Sequence, residues 1–122
     1  MSNFKCLIAD DSSFARKLIG SVINKTGGNV VAEAVDGQEA IDKFMLTFPD
    51  LVILDITMPV VDGVEVLKQI KTINKNVKVI MVSSIGHQDM ISKTKDLGAT
   101  NFIVKPYDLE NAFNVINSTM VK

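Results

Sequence analysis

Tryptophan is absent from this 122-residue chain, which also has a single cysteine, a single histidine and a single tyrosine. The lone Cys6 has no partner for a disulfide within the chain, and one histidine beside one cysteine makes a zinc site improbable. Long apolar runs are missing as well: residues 51–54 and 79–82 are among the longest, far short of the roughly 20 residues a membrane helix needs. The opening residues Met1-Ser2-Asn3-Phe4-Lys5 carry no signal-peptide pattern, so the expected setting is the reducing cytoplasm. The sequons at Asn24 and Asn117 therefore lack the secretory context that would give them meaning. Neither sign of charge dominates. Thirteen basic residues against 14 acidic ones leave a net charge of −1, which excludes nucleic-acid binding by bulk charge. The seven glycines form neither a G-x-x-x-x-G-K-[ST] nor a G-x-G-x-x-G loop, and there is no G-x-S-x-G elbow to present a hydrolase nucleophile.

What is present is the composition of an ordinary globular protein, 47% apolar and 22% charged, with length for one domain spanning 1–122 and no room for an output domain. Among the 13 basic residues only Arg16 is an arginine, a skew to which the sequence attaches no chemistry. Short β-branched runs at 6–9, 30–32, 51–54, 79–82 and 102–104 are apolar at every position, the signature of strands buried on both faces of a parallel sheet. Helical stripes lie between them. They run through Phe14, Leu18, Ile19, Val22 and Ile23; Ala40, Ile41, Phe44 and Met45; Val64, Leu67 and Ile70; a weaker Met90, Ile91, Thr94 and Leu97; and Leu109, Ala112, Phe113 and Ile116. Ser12 or Ser13, Asp36, Asp62 and Asp108 are placed to cap helices, the middle two in D-x-x-E capping boxes. Gly27-Gly28 and Gly98 mark helix ends. Five βα units predict an α/β fold, a doubly wound (βα)5 three-layer sandwich with strand order 2-1-3-4-5.

In such a sheet ligands bind beyond the carboxyl ends of the strands. Asp10-Asp11 follows the first strand, Asp55-Ile56-Thr57-Met58-Pro59 the third, Ser83-Ser84 the fourth and Lys105-Pro106 the fifth; Glu33-Ala34, ending the second, is assigned no role. Asp10, Asp11 and Asp55 then share a cleft with Ser83 and Lys105 on its far side. One lysine cancels one of three carboxylate charges, and an oxygen-seeking divalent cation that also binds a phosphate oxygen cancels the rest. The charge arithmetic points to a Mg²⁺-dependent phosphoryl site.

With Asp10-Asp11, Asp55 ahead of Met58-Pro59, Asp62-Gly63, Ser83 and Lys105-Pro106 in this order, the chain resembles a response-regulator receiver domain along its whole length, most closely the stand-alone chemotaxis regulators of the CheY type. The resemblance implies a two-component signalling protein whose Asp55 accepts a phosphoryl group from a sensor histidine kinase. It implies Mg²⁺ held directly by Asp11, through water by Asp10, and by Asp55 and the Thr57 carbonyl. Lys105 then pairs with the phosphoryl oxygens, and the Ser83 hydroxyl turns inward to bond them. Phe102 is the switch aromatic of a face built by helix 4, strand 5 and helix 5, which binds a downstream motility or motor-switch protein. A cytoplasmic monomer that catalyses only its own phosphorylation and dephosphorylation is implied, not an enzyme acting on other substrates. His87, just before helix 4, reads as a surface or cap residue, and Cys6 as an inert buried thiol. Two alternatives share parts of this chemistry. A phosphorelay intermediate, passing phosphate to a second histidine protein, has the same site residues. A haloacid-dehalogenase phosphatase also forms an aspartyl phosphate, but its nucleophile follows the first strand, usually as D-x-D.

Overall fold

A computed structural model describes residues 3–84 and 88–120. The β-branched runs form β1 (Phe4–Ala9), β2 (Gly28–Ala34), β3 (Leu51–Asp55), β4 (Lys78–Ser84) and β5 (Asn101–Lys105), and the striped segments form α1 (Ser13–Lys25), α2 (Gly37–Thr47), α3 (Gly63–Ile73), α4 (Gln88–Asp96) and α5 (Leu109–Met120). All strand pairs are parallel, and the order is β2-β1-β3-β4-β5, as expected from the sequence. Successive side chains point to opposite faces of a strand. On one face Cys6, Ile8, Leu51, Ile53, Val82 and Ile103 pack with Ile19, Val22 and Ile23 of α1 and Ala112 and Ile116 of α5. On the other, Leu7, Val52, Leu54, Val79 and Met81 pack with Phe44 of α2 and Leu67 and Ile70 of α3, with Met90 of α4 and Leu97 just after it at the margin.

The caps define where each helix begins. The Ser12 hydroxyl accepts from the Ala15 amide, Asp36 from Glu39, Asp62 from Glu65 and Asp108 from Asn111. Neither capping box closes as its sequence predicts. The Glu39 carboxylate accepts from the Val35 amide, one residue before the cap, while Glu65 accepts from Gln69 on its own helix. Gly27 and Gly98 adopt the positive φ that ends α1 and α4.

Three expectations are corrected. The run in β2 is not buried on both faces: it is an edge strand, and its residues alternate, with Asn29, Val31 and Glu33 exposed. The other edge, β5, is likewise open at Val104. Helix stripes spill beyond the buried surface, so Phe14 at 73% exposure and Met45 at 45% lie outside the core. A stripe read from spacing does not say where the sheet beneath it ends.

Phe14→Ser is therefore expected to change unfolding free energy by less than about 0.5 kcal/mol, as exposed substitutions do, whereas Phe44→Ala costs about 3–5 kcal/mol. Urea unfolding of both variants checks this, and a Phe14→Ser loss near that of Phe44→Ala contradicts the placement.

Candidate functional site

The site grows out of strand phase and register. Ala9 of β1 pairs with Leu54 of β3, so Asp10 and Asp55 emerge side by side one residue later. Lys105 pairs with Ser84 across β4, and Asp55 with Val82, so the lysine stands further out and its stem reaches back over the strand ends. Its Nζ donates to Asp55 Oδ2 at 3.3 Å and lies 3.7 Å from Asp10 Oδ2. The remaining carboxylate oxygens are held by the backbone: the Thr57 amide donates to Asp55 Oδ1 at 3.1 Å, and the Ser12 amide to Asp10 Oδ1 at 2.9 Å. Asp10 and Asp55 are buried and Asp11 is exposed, yet one carboxylate oxygen from each lies within 4.8 Å of the others.

That donor set suits a hard divalent cation, which takes carboxylate and carbonyl oxygens and water. Two oxygens on opposite sides of a Mg²⁺ ion lie about 4.2 Å apart, so a 4.8 Å span fits direct ligation by some acids and a water bridge from another. Burial and charge crowding both work against ionisation of Asp55. Burial raises the Asp55 pKa and the neighbouring Asp10 adds to the rise, outweighing the Thr57 amide and Lys105, which pull it down. Burial alone would weaken the charge on Lys105, but Asp55 and Asp10 more than offset it and hold its pKa up. The lysine remains a cation.

Gly63 explains why an Asp-Gly pair begins α3. Its amide donates to the Ile56 carbonyl at 2.9 Å, and a Cβ there would strike the Asp55 carbonyl oxygen. The first turn of α3 is thus pressed against the backbone that carries Asp55. Ser83 is buried at 2% exposure, with its hydroxyl donating to the Ser84 carbonyl at 3.2 Å and not to the carboxylates. By strand alternation Ser83 lies on the face of Met81, and Phe102, which pairs with Met81, lies on that face too. Lys105 projects on the opposite side. A cleft of about 630 Å³ borders Lys105 there, with Phe14, Leu18 and Tyr107 among its walls. Thr57 is exposed, and Cys6 is fully buried, which pushes its thiol pKa far up and leaves it inert. His87 lies outside the described residues.

Arg16, without a predicted role, touches the site. Its Nη1 donates to the Asp10 carbonyl at 2.8 Å, and its Nε donates to Glu33 Oε1 at 2.8 Å. Behind it, Lys43 Nζ donates to the Glu33 carbonyl at 2.6 Å. The only sequence signal for this arrangement was the isolation of Arg16 among lysines.

A parallel (βα)5 sheet with an acid cluster and a lysine at its carboxyl edge defines a class, and the comparisons agree with it. Residues 6–117 match the response regulator receiver domain, and the chain belongs to that family. It is a two-component receiver of the chemotaxis type: it is 42% identical over 116 residues to the chemotaxis protein CheY of Bacillus subtilis, covering 95% of this chain and 97% of that one. The sporulation initiation phosphotransferase F of the same organism is 41% identical over 110 residues, covering 90% and 88%. Among solved structures, the CheX–CheY–BeF3–Mg²⁺ complex of Borrelia burgdorferi superposes with a TM-score of 0.91 at 38% identity, covering 98% of this chain and 90% of that one. Among the described residues no helix is long and apolar enough to cross a membrane.

Replacing one of the crowded acids should stabilise the metal-free fold. A carboxyl whose folded pKa is raised contributes stability in acid and loses it as pH climbs through that raised value. Asp55→Asn is expected to raise the metal-free unfolding midpoint at pH 7 by about 3–5 °C, equivalent to about 1 kcal/mol. Added Mg²⁺ should raise the parent's midpoint more than the variant's. Thermal melts with and without Mg²⁺ test this, and a lower metal-free midpoint for Asp55→Asn contradicts it.

Proposed function

We propose that this chain is a phosphoacceptor, with Asp55 receiving a phosphoryl group from a phosphohistidine on a sensor kinase. The observation that carries the reading is the convergence of Asp10, Asp11 and Asp55 within 4.8 Å, with Lys105 Nζ on Asp55. An Asp55 carboxylate oxygen attacks phosphorus, the P–N bond of the donor breaks with its electrons returning to the imidazole, and an acyl phosphate remains on Asp55. Asp10, Asp11, Asp55 and the Thr57 carbonyl would hold Mg²⁺, which would supply positive charge to the phosphoryl oxygens. Lys105 supplies the second positive charge and orients the same oxygens. Water attack later returns the carboxylate, so the protein acts on its own phosphoryl group and is no enzyme towards other substrates. The presence in the Borrelia complex of Mg²⁺ and BeF3, whose fluorines stand in for phosphoryl oxygens, supports this assignment.

Phosphorylation puts about −1.5 to −2 of charge and three strong acceptors where one carboxylate stood. The Ser83 hydroxyl, which donates to its neighbour's carbonyl, turns inward to that group. Phe102 lies on the same face as Ser83 and, like Met90 and Leu97, packs against the core of that face, so its ring follows and reshapes the surface of α4, β5 and α5. There a cytoplasmic motility or adaptor partner binds the monomer; the Borrelia CheY is itself held in a complex with another protein, CheX. The similarity to a sporulation phosphotransferase favours one second reading, a relay that hands the phosphoryl group to another histidine protein.

Acetyl phosphate with Mg²⁺ is expected to add one phosphoryl mass to the parent and to Ser83→Ala, and none to Asp55→Asn. Amide shifts over residues 88–107 should accompany phosphorylation in the parent and shrink in Ser83→Ala. A phosphorylated Asp55→Asn sinks the acceptor assignment, and unchanged shifts in Ser83→Ala sink the switch.

A further inference from the structure

Arg16 is the one arginine in a chain that otherwise uses lysine, and it stands in the first turn of α1, where the helix dipole disfavours a cation. Its side chain is only 14% exposed. Placing a cation there has a cost, and the hydrogen bonds show what offsets it. One arm of the guanidinium meets the Glu33 carboxylate at the end of β2, and another meets the Asp10 carbonyl at the end of β1. These acceptors lie in different directions on two strands, which suits a rigid planar fork and not a single ammonium.

The carbonyl that Arg16 grips belongs to the peptide unit joining Asp10 to Asp11. The same unit's neighbour is pinned from the other side, because the Asp10 amide donates to the Ala34 carbonyl at 3.0 Å. Asp10 also has its carboxylate tied to the Ser12 amide and near Lys105. The exposed Asp11 carboxylate has no hydrogen bond of its own among the described residues, so the direction in which it points depends on that peptide plane. Edge strand β2 therefore holds the acid pair twice, through Ala34 and, by way of Arg16, through Glu33.

We propose that Arg16 is a positioning residue for the metal-binding acids: by clamping the Asp10–Asp11 peptide to Glu33 it aims the Asp11 carboxylate at the cation. This rests on the reading of Asp10 and Asp11 as Mg²⁺ ligands. Groups that orient a metal ligand without touching the metal typically change metal affinity by about 10–100-fold.

The test is a Mg²⁺ titration, followed by amide shifts, of the full chain and of Arg16→Ala, Arg16→Lys and Ile70→Ala. Ile70 is fully buried further along α3, beyond the first turn that packs on Asp55, and its truncation lowers stability by opening the core. Arg16→Ala and Arg16→Lys are each expected to raise the Mg²⁺ dissociation constant about tenfold or more. Ile70→Ala should stay within about twofold of the parent despite its lower melting temperature. At saturating Mg²⁺, acetyl phosphate should still phosphorylate Arg16→Ala. Parent-like affinity in either Arg16 variant overturns the proposal, as does an equal loss of affinity in Ile70→Ala or no phosphorylation of Arg16→Ala at saturating Mg²⁺. A parent chain that binds no Mg²⁺ overturns the metal reading itself, and the role of Arg16 with it.

Discussion

Three carboxylates brought within 4.8 Å of one another repel, and two of them are buried where water screens that repulsion poorly. Much of the architecture around the sheet edge serves to hold them there. Amides of Ser12 and Thr57 take one oxygen each, Lys105 lies across the other two, and Gly63 lets α3 press against the backbone of Asp55. Burial first, and Asp10 beside it, raise the Asp55 pKa against the pull of the Thr57 amide and Lys105. Three carboxylates facing one lysine leave the cluster short of positive charge. A site already neutral would have little use for a cation and less reason to rearrange when a phosphoryl group arrives.

Strand parity does the assembling. Asp10 continues the phase of Cys6 and Ile8, Asp55 that of Leu51 and Ile53, and Lys105 that of Ile103, all facing the α1–α5 side. Ser83 and Phe102 continue the phase of Met81 and face the other side. The proposed acceptor and the proposed coupling residues thus occupy opposite faces of one sheet and meet at its carboxyl edge. In the proposed switch the Ser83 hydroxyl, crossing from its neighbour's carbonyl to the phosphoryl group, links the two.

This much was legible in the sequence because it depends on period-2 alternation and on one topological rule. The apolar runs located all five strands, and the polar residues directly after them located the site. Other features depend on what lies beside an element. Phe14 and Met45 continue helical stripes beyond the area the sheet can cover, and the apolar run of β2 reads as buried on both faces although this edge strand exposes alternate residues. Glu33 had no role in the sequence because its partner is 17 residues away on another element. Its link to the acid pair runs through a backbone carbonyl, which no side-chain pattern reveals. The capping boxes failed for a related reason: a glutamate side chain takes whichever donor geometry brings nearer, Val35 in one case and Gln69 in the other.

The claim on which the rest stands is that the acid cluster is a cation site with unequal members. Asp11 is exposed and without a hydrogen bond of its own among the described residues, while Asp10 is already engaged by Ser12 and Lys105. Calorimetric titration of the parent, Asp10→Ala and Asp11→Ala with Mg²⁺ measures this directly. One ion per chain is expected in the parent, with affinity lost far more in Asp11→Ala than in Asp10→Ala. No saturable binding in the parent, or equal losses in the two variants, would contradict the account.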